Sequence, residues 1–145
     1  MGNIEKFPDI KYKILDHTAD IGLEAYGNTA KEAFIHAANG MFAILANGEL
    51  IHLEKTFSFE IEADSPEELL VAWLNKLLYL YDAERVILGN FEILNLEQKK
   101  LSAKVSGEPV DLNRHKIRTY IKAATYHRAS VEINDICTVR VIFDV

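Results

Sequence analysis

Residues 55–82 read KTFSFEIEADSPEELLVAWLNKLLYLYD, and they change periodicity within a single step. Phe57, Phe59, Ile61 and Ala63 alternate on one side of the first half, as a half-buried strand requires. At Ser65 the pattern switches. Ser65 is a strong N-cap, Pro66 fits the first helical position, and Glu67 and Glu68 suit the positive helix end. Leu69, Leu70, Trp73, Leu74, Leu77, Leu78 and Tyr81 then recur at helical spacing as a broad apolar face. The spacing predicts a strand running straight into the central core helix, with its aromatic residues serving packing rather than a cofactor.

Upstream, residues 10–15 (IKYKIL) and 21–26 (IGLEAY) read as short strands on either side of DHTAD, with Gly27 closing the second. In residues 28–48, NTAKEAFIHAANGMFAILANG, Thr29 and Glu32 have capping-box spacing. Ala30, Ala33, Phe34, Ala37, Ala38, Met41, Phe42 and Leu45 mark one helical face, and Gly48 sits where a left-handed cap is expected. Gly40 inside this helix costs about 1 kcal/mol relative to Ala, and marks a point of close packing.

Downstream, NFEILNLE and LSAKVSGE, separated by Gln98, Lys99 and Lys100, read as a β-hairpin. RASVEIND and ICTVRVIFDV read as a second, turning near Asn134 and Asp135. The block between them, PVDLNRHKIRTYIKAATYH, fits two patterns. It opens as a short helix after Asp111 or Asn113, or it alternates as a strand through Ile117, Thr119, Ile121, Ala123 and Thr125. In both geometries Arg118, Lys122 and Tyr126 fall on one side. The whole order implies an α+β fold, a two-layer sandwich of two or three helices on a mainly antiparallel sheet. A strand–helix–strand rhythm occurs roughly twice, the pattern of an internal duplication.

The chain of 145 residues is one domain's length, and 49% hydrophobic with 26% charged residues is a globular composition. Linkers and low-complexity tracts are missing, so residues 1–145 are expected to form a single domain with 1–9 peripheral. Sixteen Lys and Arg against 22 Asp and Glu leave a net charge of −6. Such a balance disfavours broad coating of nucleic acid, which relies on cations releasing counterions. One cysteine, Cys137, excludes an internal disulfide and a thiolate zinc cluster. No signal peptide or membrane span is read, and a cytoplasmic location is expected.

No Gly-rich phosphate loop, nucleophile elbow or HExxH stands in the chain. Three polar clusters remain. DHTAD (16–20) holds two carboxylates and His17 between strands; oxygen ligands suit hard cations, while Asp and Thr also make ordinary turns and caps. The chain end places Asp144 and the Val145 terminal carboxylate at the last residues of a predicted strand, a solvated tail or a cation site. The third is a basic island, Arg114, His115, Lys116, Arg118, Lys122, His127 and Arg128, fit for phosphate, an acidic partner or plain solvation. His36 and His52 have no convergent partners in the sequence.

DHTADIG, GNTAKEAF, DSPEELLVAWLNKLLYL, GEPVDLNRHKIRTYIKAATYH and the terminal VIFDV, in this order from Tyr12 to Val145, resemble the archease family. KAATYH departs from the family's usual form in carrying Ala where a bulkier residue is common. The resemblance implies a protein cofactor rather than an enzyme. Its partner would be the GTP-dependent tRNA-splicing RNA ligase that joins 3′-phosphate or cyclic-phosphate ends to 5′-hydroxyl ends. The helper promotes ligase guanylylation and multiple turnover. The resemblance further implies that Asp20, Asp144 and Val145 bind a metal ion, calcium foremost, and that Lys122 belongs to the same functional patch, with His17 beside it. Three negative oxygen groups repel one another unless a cation stands among them, and oxygen-only ligands favour calcium, magnesium or manganese over zinc. Two other functions stand beside this one: a chaperone-like specificity factor for a tRNA methyltransferase, also implied by the family, and a metal-dependent hydrolase, for which only His17 offers a general base.

Overall fold

A computed structural model describes residues 10–16, 20–46 and 50–145. His17, Gly48 and residues 1–9 lie outside the described residues. The elements follow the order β1 (Tyr12–Asp16), β2 (Asp20–Gly27), α1 (Ala30–Leu45), β3 (Lys55–Glu62), α2 (Pro66–Glu84), β4 (Val86–Leu96), β5 (Lys100–Pro109), β6 (Ala123–Ile133) and β7 (Cys137–Asp144). This is the α+β order read from the sequence, with two helices. The segment before β6 is neither of the two alternatives. Asp111–His115 forms one turn, with the Arg114 and His115 amides donating to the Asp111 carbonyl, and apart from an isolated bridge between Ile117 and Ala46 extended pairing starts at Ala123. The shared side expected for Arg118, Lys122 and Tyr126 therefore does not follow, because no regular period runs through them.

Helix entry obeys the capping chemistry. Thr29 Oγ1 accepts from the Glu32 amide at 3.2 Å, and Glu32 Oε1 accepts from the Asn28 amide at 2.8 Å. Ser65 Oγ accepts from the Glu68 amide at 3.1 Å, with Pro66 at the first position of α2. The cap residue of helix α1, Ala46, is in extended backbone, and its amide donates to the Phe42 carbonyl. Gly40 is a close contact, as expected: a Cβ there would lie 2.7 Å from a Leu23 methyl.

The strands divide between two sheets, where the sequence suggested one. Four strands run in the order β1-β2-β7-β6 and three in the order β3-β5-β4, every pair antiparallel. The two strand–helix–strand passages differ accordingly. β2–α1–β3 crosses from one sheet to the other, whereas β3–α2–β4 returns to the same sheet on the far side of β5. Both helices pack against strands of both sheets, α1 mainly on β2 and α2 mainly on β6. At their junction Trp73 is fully buried, donates its indole N–H to the Phe34 carbonyl at 2.9 Å, and meets Phe59 and Phe91. No helix among the described residues is long and apolar enough to cross a membrane.

Gly107 sits where β5 passes the irregularity between Leu88 and Asn90 of β4. A Cβ at this position would come within 1.9 Å of the Ile87 carbonyl oxygen, a backbone atom that cannot swing aside. Gly107→Ala should therefore destabilise the fold by about 3 kcal/mol, read as a fall of about 10 °C in a thermal melt. An unchanged melt would show that β4 can move away at no cost.

Candidate functional site at the end of the four-stranded sheet

β7 lies between β2 and β6, so the end of one strand meets the beginnings of two others. The register sets Asp20 opposite Asp144 and, on the other flank, Ala123 opposite Asp144. The Lys122 amide donates to the Asp144 carbonyl at 2.8 Å. Residues from three distant parts of the chain thus converge. Directly opposed side chains in an antiparallel pair have Cβ atoms about 5 Å apart, so the two carboxylates are held side by side. Asp20 is half-buried, while Asp144, Lys122 and Val145 are exposed. The apolar register keeps the end of the chain docked: Phe143, Val141 and Val139 are buried on the opposite face.

Like charges directly opposed destabilise a sheet, and neither Asp20 nor Asp144 forms an ion pair among the described residues. No group of three or more His, Cys, Asp or Glu side chains converges there or elsewhere among these residues. The two side chains fit a hard cation by their chemistry. A full shell of oxygen ligands would need others, such as the Val145 terminus.

Two positioning devices escaped the sequence reading. The first is Asn75 of α2. Its amide donates to the Ala124 carbonyl at 3.1 Å and accepts from the Ala124 N–H at 2.8 Å, so a side chain takes the place of a neighbouring strand at the outer edge of β6. A polar residue between Leu74 and Leu77 was the available signal. The second is a buried carboxylate, Glu108. It accepts from Arg114 at 2.6 Å, from the His52 amide at 3.0 Å and from His115 Nε2 at 3.2 Å. Because His115 Nδ1 accepts from the Asp111 amide at 2.8 Å, Nε2 carries the ring proton. Arg114 also donates to the Leu50 carbonyl at 3.0 Å. Arg114 and His115 therefore face inward to anchor the loop that delivers Lys122, and the basic island shrinks to Lys116, Arg118, Lys122, His127 and Arg128 at the surface. His36 is a satisfied helix residue, its Nδ1–H donating to the Tyr26 carbonyl.

Residues 12–145 match the Archease protein family (MTH1598/TM1083). The chain belongs to the archease family. It is 36% identical over 124 residues to Protein archease of Sulfurisphaera tokodaii, covering 84% of this chain and 88% of that one. The solution structure of Methanobacterium thermoautotrophicum protein 1598 superposes with a TM-score of 0.77 at 28% identity, over 93% of this chain and 99% of that chain. A Thermotoga maritima archease, described as a possible chaperone, shares the fold with a TM-score of 0.63 at 24% identity, over 92% and 96% of the two chains. The archease fold read from the sequence is thus the fold observed.

Hydrogen bonding to Arg114, foremost, holds the Glu108 carboxyl down at about 2, against a usual 4.5. A depressed acid stabilises the folded state above its unfolded value, so this contribution is complete above about pH 4.5 and is lost as pH falls through 2. Glu108→Ala leaves a buried histidine and a guanidinium without their acceptor and should cost about 3 kcal/mol. We expect faster hydrogen exchange at the Lys122 amide in this variant at pH 7; equal protection would separate the loop anchor from the carboxylate end.

Proposed function

We propose that this archease-family chain activates the tRNA-splicing RNA ligase in the cytoplasm, promoting its guanylylation and repeated turnover without catalysing a reaction itself. The observation that supports this reading best is the register that opposes Asp20 and Asp144 beside Lys122 at an exposed sheet end. Asp20, Asp144 and the Val145 carboxylate would hold a divalent ion, calcium or otherwise magnesium or manganese. The ion would supply a positive charge bridging the two strands and a surface able to meet an anionic group. Lys122, in the same cluster, would neutralise the carboxylates when no ion is bound or contact a phosphate. An acidic accessory protein suits a partner that must itself bind RNA through basic surfaces.

Ligation with ligase well below substrate, with and without this protein, is the direct test. Asp20→Ala should reduce stimulation at least tenfold with a melt no lower than wild type, since it also removes a like-charge pair. Normal stimulation by that variant would remove the site from this function. Lys122→Ala should lose far more stimulation than Lys116→Ala; equal, salt-sensitive losses would mean a general electrostatic patch. A Gly-Ser extension after Val145 replaces the terminal carboxylate by a neutral amide. Calorimetry should then show calcium or manganese binding at least about tenfold weaker, a loss of roughly 1.4 kcal/mol, whereas an N-terminal tag should leave it unchanged.

A further inference from the structure

The outward face of the four-stranded sheet carries a second feature, two residues along from Asp20 and Asp144. Gly22 pairs with Ile142 on one side and Leu15 on the other. Strand side chains alternate, so this row shares the face of the Asp20–Asp144 pair at a separation of about 7 Å. A glycine in a strand interior weakens it, and often marks a place where another molecule approaches closely. Gly22 has no positive φ that would demand a glycine. Instead it helps line a cavity of about 360 Å³, with Leu15 and Ile142 beside it.

The opposite wall is built by a defect in β6. Thr125 pairs with Ile142 and Ser130 with Arg140, so β6 spends five steps where β7 spends two. Bulges of this kind re-aim side chains and recur next to functional sites. Arg128 lies inside the excursion with φ 62, a left-handed conformation that is strained for an L-residue with a Cβ. It lines the cavity together with Arg140, Ser130 and one carboxylate, Glu132. The two arginines differ in charge balance. Arg140 is paired with Glu24 and also feels Glu132, whereas Arg128 has no carboxylate partner among the described residues.

We propose that this notch receives a carboxylate side chain, flanked by aliphatic residues, from a protein partner. Arg128 supplies one unpaired guanidinium, which a single negative charge balances, and Leu15 and Ile142 supply the apolar flanks. A polyphosphate or an RNA strand brings several negative charges where Arg128 balances one, and Asp20, Asp144, Glu24 and Glu132 on the same face repel the remainder. The left-handed backbone in the excursion carries Arg128 into the lining of the cavity. The inference deepens the ligase reading, since a partner reaching Asp20 and Asp144 would also cover this row, but it does not need that ligase to be the partner.

Two measurements test it. In amide and arginine side-chain NMR titrations, the peptide acetyl-Leu-Glu-Leu-amide should give saturable shifts at Gly22, Ser130, Ile142 and the Arg128 Nε–H. The Gln counterpart should bind at least about fivefold more weakly, and inorganic phosphate and oligouridylate should give no saturable shift. Arg128→Gly should abolish binding while melting at or above wild type, because glycine accepts φ 62 without strain. Gly22→Val should fill the notch with the same loss. Equal binding of the two peptides, preference for phosphate or RNA, no saturation, or binding retained by Arg128→Gly would each overturn the proposal. In parallel, calorimetry with the ligase should show at least tenfold weaker binding by Arg128→Gly. Wild-type protein that fails to bind ligase would overturn the functional reading alone, leaving the peptide titration to decide the notch; equal ligase binding by both forms would overturn the notch.

Discussion

The insertion of β7 between β2 and β6 is the constraint on which the rest of the structure depends. Phe143, Val141, Val139 and Cys137 are buried on one face of that strand. Each large apolar side chain taken from water contributes roughly 1.5–3 kcal/mol, and a slip of one residue would turn the whole set to solvent. The core therefore locks the register, and the register in turn opposes Asp144 to Asp20 and ties its carbonyl to the Lys122 amide. Two carboxylates that would separate if free are held together by hydrophobic burial acting on the residues next to them.

Irregular backbone is anchored wherever it approaches this sheet end. The loop before β6 forms an isolated bridge between Ile117 and Ala46 and hangs on the buried Glu108. The first turn of β6 is held on its outer edge by Asn75. Further along, the same strand leaves its ladder between Thr125 and Ser130 and admits a left-handed Arg128. Order at the start of β6 and a defect in its middle thus lie within a few residues. Both shape the face that carries Asp20 and Asp144: the first by delivering Lys122, the second by opening a notch beside Gly22. The charge on that face favours a protein partner over a bare polyanion, in keeping with the net −6 of the chain.

Much of this was legible because it is local. Period 2 in residues 57–63, period 3.6 in residues 69–81 and the caps at Thr29 and Ser65 act over two to four residues, and all appear where the sequence placed them. The turns of both hairpins fall as expected, after Leu96 and after Ile133. Gly40 marked a close contact because a glycine in a helix lacks a local reason to be there. The stretch 110–122 failed as either helix or strand. Its polar groups bond to distant partners, such as the Leu45 carbonyl that accepts from the Arg118 amide, and those outweigh its own weak periodicity.

By itself the sequence determined the elements, their order, the polarity of each face and the motifs that carry the family. Only the tertiary structure decided that seven strands split into two sheets, that β7 runs between β2 and β6, and that Arg114 and His115 point inward. It alone decided that Arg128 lines a cavity floored by Gly22. The physical reason is the range of the interactions. Backbone propensity and capping are settled between near neighbours, whereas a strand chooses its partner among segments a hundred residues away, and Arg114 and His115 turn inward only because the tertiary fold buries Glu108 beside them.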